Sequence, residues 1–248
     1  MAAGLPARDA HPGAAGRIEG AMAPIDLYFW PTPNGKKLSI YLEEAAVPYR
    51  VLPVNIGRGE QFEPSFLAVS PNNRIPAIVD HDPVDGGAPI SIFESGAILL
   101  YLAEKTGHLW PADARTRTRV TQWLMWQMSG LGPMMGQASH FRVYAKGKSE
   151  YGEERYGHEV ERLFRVLDGR LAEAPFVGGD YSIADIACYP WVVAGDRLGL
   201  DLGHYANVAR WREAVGARPA VQRGMAVGQE LAAPVLDDEA RRVLFERR

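Results

Sequence analysis

Cysteine is all but missing: one residue, Cys188, stands among 248. A lone thiol cannot close an internal disulfide or build a cysteine-rich metal site, and it fits a reducing compartment. Long apolar runs are missing too, since nothing approaches the roughly 20 consecutive apolar residues of a membrane span. No sign of charge dominates. The net of −3 gives no electrostatic case for nucleic acid or for an anionic membrane. The six histidines, His11, His81, His108, His140, His158 and His204, form no H-x-x-x-H pair and no carboxylate cluster, so no metal is expected. Residues 1–22 lack the continuous apolar stretch of a secretory signal and read as a disordered extension. These absences leave a cytoplasmic globular protein, for which 47% hydrophobic and 23% charged residues are ordinary.

What is present falls into two halves. Residues 25–30 (IDLYFW) are a β-type run, and PTPNGKK then turns the chain into LSIYLEEAAV, whose Leu38, Tyr41, Leu42 and Ala45 share a helical face. Residues 49–54 are the next strand, which completes a βαβ unit. After the loop NIGRGEQFEPSFLAVSPNN, Ala77–Asp80 and Ile90–Phe93 are β-prone runs joined by the hairpin connection HDPVDGGAP. Glu94-Ser95-Gly96 opens an apolar helix over residues 97–103. The expected fold is therefore α/β and thioredoxin-like over residues 23–106, then a linker at 107–113, then an all-helical domain over 114–248. In that domain residues 116–128 are amphipathic, Gly-Leu-Gly-Pro at 130–133 should kink or break the helix, and 134–144 should resume it. Residues 153–171 carry Val160, Leu163, Phe164, Leu167 and Leu171 on one stripe. Ser182 and Asp185 have capping-box spacing ahead of an apolar helix at 183–193, where Cys188 reads as a buried, inert thiol. As a cap alone, Asp185 is worth about 1–2 kcal/mol. Residues 208–215 and 219–227 look like short helices, and the last dozen residues like a loosely attached helix or tail.

Two features look chemical rather than architectural. Ile75-Pro76 precedes a strand, where a rigid, cis-prone bond would turn Ile75's backbone groups toward a ligand. Glu94 and Ser95 lie where helix N–H groups lack intrahelical partners, a place to hold a carboxylate and an ammonium together. Such a site suits a peptide-like ligand. Blander readings stand beside it: Glu94 and Ser95 as plain caps, Arg74 and Arg155 as solvated charges, Asn34 as the N-cap of the helix after PTPNG.

The βαβ–ββα order with S-x-N-x-[KR]-[IV]-P and E-S, followed by a helical domain with S-I-A-D-I-A, resembles the cytosolic glutathione transferases across nearly the whole chain. TPNG at 32–35, SPNNRIPAIVDH at 70–81 and WQMSGLGPMMGQ at 126–137 are similar to the bacterial nu class, the glutathione-dependent disulfide-bond oxidoreductases. The resemblance implies glutathione, reduced or as its disulfide, as co-substrate. Thr32 and Asn34 would donate to its thiolate, lowering a thiol pKa that is roughly 8.5 when unperturbed. Ile75 would pair with the cysteinyl backbone, and Glu94 would hold the γ-glutamyl ammonium. Ser95 would donate to the neighbouring carboxylate, while Arg74 and Gln61 would reach the glycyl end. Arg155 would approach from the helical domain or a partner subunit. The family often carries Lys where this chain has Arg74. Other classes place Tyr, Ser or Cys near Thr32-Pro33-Asn34. No protein cysteine stands at this turn, so the sulfur must come from the ligand.

The resemblance further implies a homodimer, with Trp123, Trp126, Met128, Met134 and Met135 in core and interface or at the mouth of the site. The implied activity is reduction of small or mixed disulfides, accompanied by organic hydroperoxide reduction. Two alternatives stay open: conjugation of glutathione to small hydrophobic electrophiles, and a non-catalytic, glutathione-binding regulatory protein.

Overall fold

The structure, a computed structural model, describes residues 24–231 and 237–246; the extension expected over residues 1–22 lies outside the described residues. The chain forms two compact units. One runs through Ile98 and takes up the chain again at Arg223, and the other spans Leu99–Gln222.

The first unit is built on β1 (Ile25–Phe29), α1 (Pro33–Glu44), β2 (Tyr49–Pro53), the single turn α2 (Pro64–Leu67), β3 (Ala77–Asp80) and β4 (Ile90–Phe93), after which α3 (Ser95–Thr106) begins. The sheet order is β2-β1-β3-β4. β2 runs parallel to β1, whereas β3 is antiparallel to both β1 and β4. This is the thioredoxin-like arrangement read from the sequence. Period-two alternation buries Ile25, Leu27 and Phe29 completely on one face of β1. α1 starts earlier than its apolar stripe suggests. Pro33 has a preset φ and no N–H to leave unsatisfied. Gly35 lets the helix begin against the strand it follows, because a Cβ there would sit 2.2 Å from the Trp30 carbonyl oxygen.

The second unit is helical: α4 (Ala114–Trp126), α5 (Gly132–Ser139), α6 (Glu150–Glu173), α7 (Ile183–Ala194) and α8 (Ala206–Gly216). The break expected at 130–133 is instead a π-helical turn, Gln127–Leu131, that runs straight into α5. Pro133 is the second residue of α5, directly after that turn. The α6 stripe Val160, Leu163, Phe164, Leu167 and Leu171 is buried, as is Cys188 on α7. Of Trp123, Trp126, Met128, Met134 and Met135, only Met135 is fully buried, and the two indoles meet edge-on at 5.2 Å.

α9 (Pro219–Ala226) and α10 (Asp238–Phe245) complete the described chain. The described residues from Arg223 onward, read from sequence with the helical domain, cluster with the sheet. A Cβ on Gly224 would sit 2.5 Å from the Ile40 Cα, and Ser39 Oγ donates to the Gly224 carbonyl at 2.8 Å. α10 is tied to the loop after β2, where Arg58 pairs with Asp237 at 2.7 Å and with Glu239.

Candidate functional site

The register of the sheet sets out one edge. Tyr28 near the end of β1, Ala77 at the start of β3 and Phe93 at the end of β4 form a row of paired residues. Just beyond that row come Thr32, Ile75 and Glu94. Topology thus gathers three segments that are far apart in sequence.

At the β1–α1 corner Thr32 is extended (φ −97°, ψ 162°), and its Oγ1 accepts the Gly35 N–H at 3.2 Å. Its carbonyl accepts the Lys36 N–H at 2.9 Å. Thr32 is therefore the N-cap, and Asn34 is the second residue of the helix rather than its cap. A hydroxyl that accepts a cap bond keeps its own proton for donation. Both side chains are half-buried, beside the positive end of the α1 dipole.

At the second corner the Ile75–Pro76 bond is cis. Ser70 Oγ fixes the loop by donating to the Arg74 carbonyl at 2.9 Å. Ile75 packs on the Val54, Phe66, Val69 and Ala77 cluster, while the Arg74 side chain is exposed. Glu94 sits in the left-handed region at φ 71°, uncommon for a residue with a side chain and a marker of stored strain. Its carboxylate is exposed and accepts from Asn72 Nδ2 at 3.4 Å. Ser95, the first residue of α3, is buried. Gln61 is buried as well. Its Nε2 donates to the Ile56 carbonyl at 3.1 Å, and its Oε1 has no hydrogen-bond partner among the described residues. Arg155 belongs to the other unit, exposed on α6 and 3.9 Å from the Glu159 carboxylate.

Sequence reasoning passed over two lysines. Lys36 donates to the carbonyls of Met225, at 2.7 Å, and Val227, and burial lowers its pKa to about 8 against the pull of Glu230. Lys37 is 1% exposed, and its Nζ lies 3.2 Å from Ser95 Oγ. Once the helix is begun at Pro33, Lys37 falls four residues before Tyr41 on a buried face; beginning it at Leu38 hid that signal.

The Ser182–Asp185 pair is a complete capping box. Asp185 also accepts from Val177 N at 2.8 Å and from Trp211 Nε1 at 2.8 Å. Burial pushes its carboxyl up to about 6, against those donors. Among the described residues no group of three or more His, Cys, Asp or Glu could hold a metal ion, and no helix is long and apolar enough to cross a membrane.

Residues 23–104 match the family described as Glutathione S-transferase, N-terminal domain, and residues 126–219 match Glutathione S-transferase, C-terminal domain. The chain belongs to the glutathione S-transferase family. Within that family it is 54% identical over 216 residues to the disulfide-bond oxidoreductase YfcG of Escherichia coli, covering 87% of this chain and 98% of that protein. It also superposes on a glutathione transferase of Burkholderia graminis that holds two glutathione molecules per subunit. That match has a TM-score of 0.78 at 44% identity and covers 84% of this chain and 89% of the other. A Pseudomonas putida transferase holding one glutathione disulfide per subunit matches with a TM-score of 0.77 at 41% identity, over 83% and 92% of the two chains.

Proposed function

We propose that this transferase-family protein is a glutathione-dependent disulfide-bond reductase whose reacting sulfurs are all carried by its ligands. The observation that carries the reading is the α1 corner: a threonine cap and an asparagine stand where a sulfur nucleophile is needed, while the one cysteine is buried in α7. Identity to YfcG supports the same reading.

Glutathione fits the edge residues. Glu94, Ser95 and the Ile75 backbone suit the ammonium, carboxylate and amides of its γ-glutamyl-cysteinyl part, and Gln61 and Arg74 suit its glycyl end. Thr32 and Asn34 donate hydrogen bonds to the thiolate, which favours the charged form at neutral pH. That thiolate attacks one sulfur of the substrate disulfide. The S–S bond breaks, one substrate thiolate leaves, and a mixed disulfide with glutathione remains. A second glutathione thiolate attacks the glutathionyl sulfur, releasing the other substrate thiolate and forming glutathione disulfide. Two glutathione molecules are oxidised and one disulfide is reduced, with protons taken up from solvent by the leaving thiolates. Arg155 is a further contact to glutathione, within its own chain or across to a partner subunit, and the protein works as a cytoplasmic homodimer.

The test is glutathione-dependent reduction of a small disulfide by wild type and by Cys188→Ala, with aryl-halide conjugation run in parallel. Fast, equal disulfide turnover with slow conjugation is expected. Conjugation without disulfide turnover would move the protein to the ordinary transferases. Binding without either reaction would leave a regulatory binder. A monomer by light scattering would remove the dimer.

A further inference from the structure

Lys37 is a charged side chain placed inside the sheet unit and given no task by the scheme above. Its Nζ meets Ser95 Oγ at 3.2 Å, and the two residues are only 1% and 3% exposed. Burying a lysine is costly, and an apolar side chain of similar length would fill the space without that cost. Its neighbour Lys36 is turned to the carbonyls of Met225 and Val227 at the end of α9, so the two lysines do different things.

We infer that Lys37 is a positioning residue for the α-carboxylate of a γ-glutamyl ligand, acting through Ser95; the inference rests on the reading of Ser95 above. An ammonium donates and cannot accept, so Ser95 Oγ is the acceptor of this bond. That bond takes up a lone pair of the hydroxyl, so that Ser95 acts toward a ligand as a donor. A hydroxyl that accepts from a cation is polarised into a stronger donor. A carboxylate bound by that proton would lie within about 6 Å of Nζ, given ordinary hydrogen-bond lengths. There the buried charge acts with little screening by water. Ser95 is also the first residue of α3 and follows the strained Glu94, so the helix terminus and Lys37 favour an anion at the same point.

The test measures glutathione binding by calorimetry, and steady-state disulfide reduction, in Lys37→Met. Affinity should fall about tenfold or more, with kcat at saturation largely kept, as for loss of a charge-assisted contact to bound ligand. The decisive arm uses glutathione whose γ-glutamyl carboxylate is replaced by an amide. Wild type should bind this analogue much more weakly than glutathione, and Lys37→Met should discriminate far less between the two. A purely structural lysine would weaken both ligands alike and leave the discrimination intact, which would overturn the inference, as would wild-type affinity in Lys37→Met. Lys37→Gln repeats the measurement should the methionine variant fail to fold. Ser95→Ala separates the two levels. Weakened binding in Ser95→Ala beside unchanged binding in Lys37→Met sinks only this inference, whereas unchanged binding in Ser95→Ala sinks the reading of the cradle and this inference with it.

Discussion

Two helix N-termini in this protein use the same side-chain vocabulary to opposite ends. At α7 a serine cap and an aspartate are both buried, and the carboxylate is surrounded by protein donors: Ser182 N at 3.0 Å, Val177 N and Trp211 Nε1. At α1 a threonine cap answers the Gly35 N–H but stays half-buried at the sheet edge, near the strained Glu94. Chemistry at a helix start does not distinguish fold from function; what lies beyond the cap does. Where protein groups close the terminus, its hydrogen bonds stabilise the native state. Where the terminus faces an edge of the sheet, as at Thr32, the proposed function gives it a ligand to hold.

The largest effect expected from this contrast is on folding. Asp185→Ala leaves two buried donors, the Val177 N–H and the Trp211 indole N–H, at about 1–3 kcal/mol each, and removes a cap worth about 1. A loss of about 3–7 kcal/mol in denaturant unfolding is expected, while the protein that remains folded keeps its kcat/KM. A loss of only 1–2 kcal/mol, the capping value alone, would mean that the wider network contributes nothing.

Thr32→Ala should show the reverse. Its cap is worth about 1 kcal/mol in stability, but removing a donor to a developing or bound anion costs about a hundredfold in rate. Steady-state disulfide reduction reads the second figure and thermal unfolding the first. Thr32→Ser, which keeps the hydroxyl, should recover most of the rate. A Thr32→Ala protein that is as unstable as Asp185→Ala and fully active when folded would break the comparison.

How much of this was legible in the sequence follows from how local each signal is. The βαβ–ββα order, the Ser182–Asp185 box and the α6 stripe are written in periodicity and short spacings, and the structure has them. From sequence the cap falls on Asn34, a common N-cap residue, whereas Pro33 at the first helical position assigns it to Thr32. At Gln127–Leu131 the sequence points to a kink or a break because Gly and Pro mark both, and it does not say that the helix widens into a π turn and continues. Long-range partners were illegible. Nothing near Asp185 in the chain announces Trp211, and nothing near Lys37 announces Ser95. The return of the chain to the sheet unit after Arg223 depends on a backbone approach at Gly224 that a lone glycine does not advertise.

The smallest expected effect sets the same contrast between two carboxylates and is read in acid. Burial pushes Asp26 up, but Arg50, which grips it at 2.8 and 2.7 Å, and His81 at 2.9 Å together hold it below the ordinary range. Its stabilising contribution is therefore present above the unfolded carboxylate value of about 4 and is lost as pH falls through the lower folded value. Asp185 has the opposite sign. Burial raises it to about 6, so between about 4 and 6 the folded state binds more protons than the unfolded chain. Its contribution is full below about 4 and declines as pH rises through 6. Unfolding free energies across the acid range should show a fall with rising pH between about 4 and 6 that Asp185→Asn flattens, and a loss at the lowest pH that Asp26→Asn flattens. Identical slopes in wild type and Asp185→Asn would mean that the donors around Asp185 offset its burial, and a wild-type slope of the opposite sign would mean that they outweigh it, so that α7 is closed by a charge the fold prefers rather than by one it tolerates.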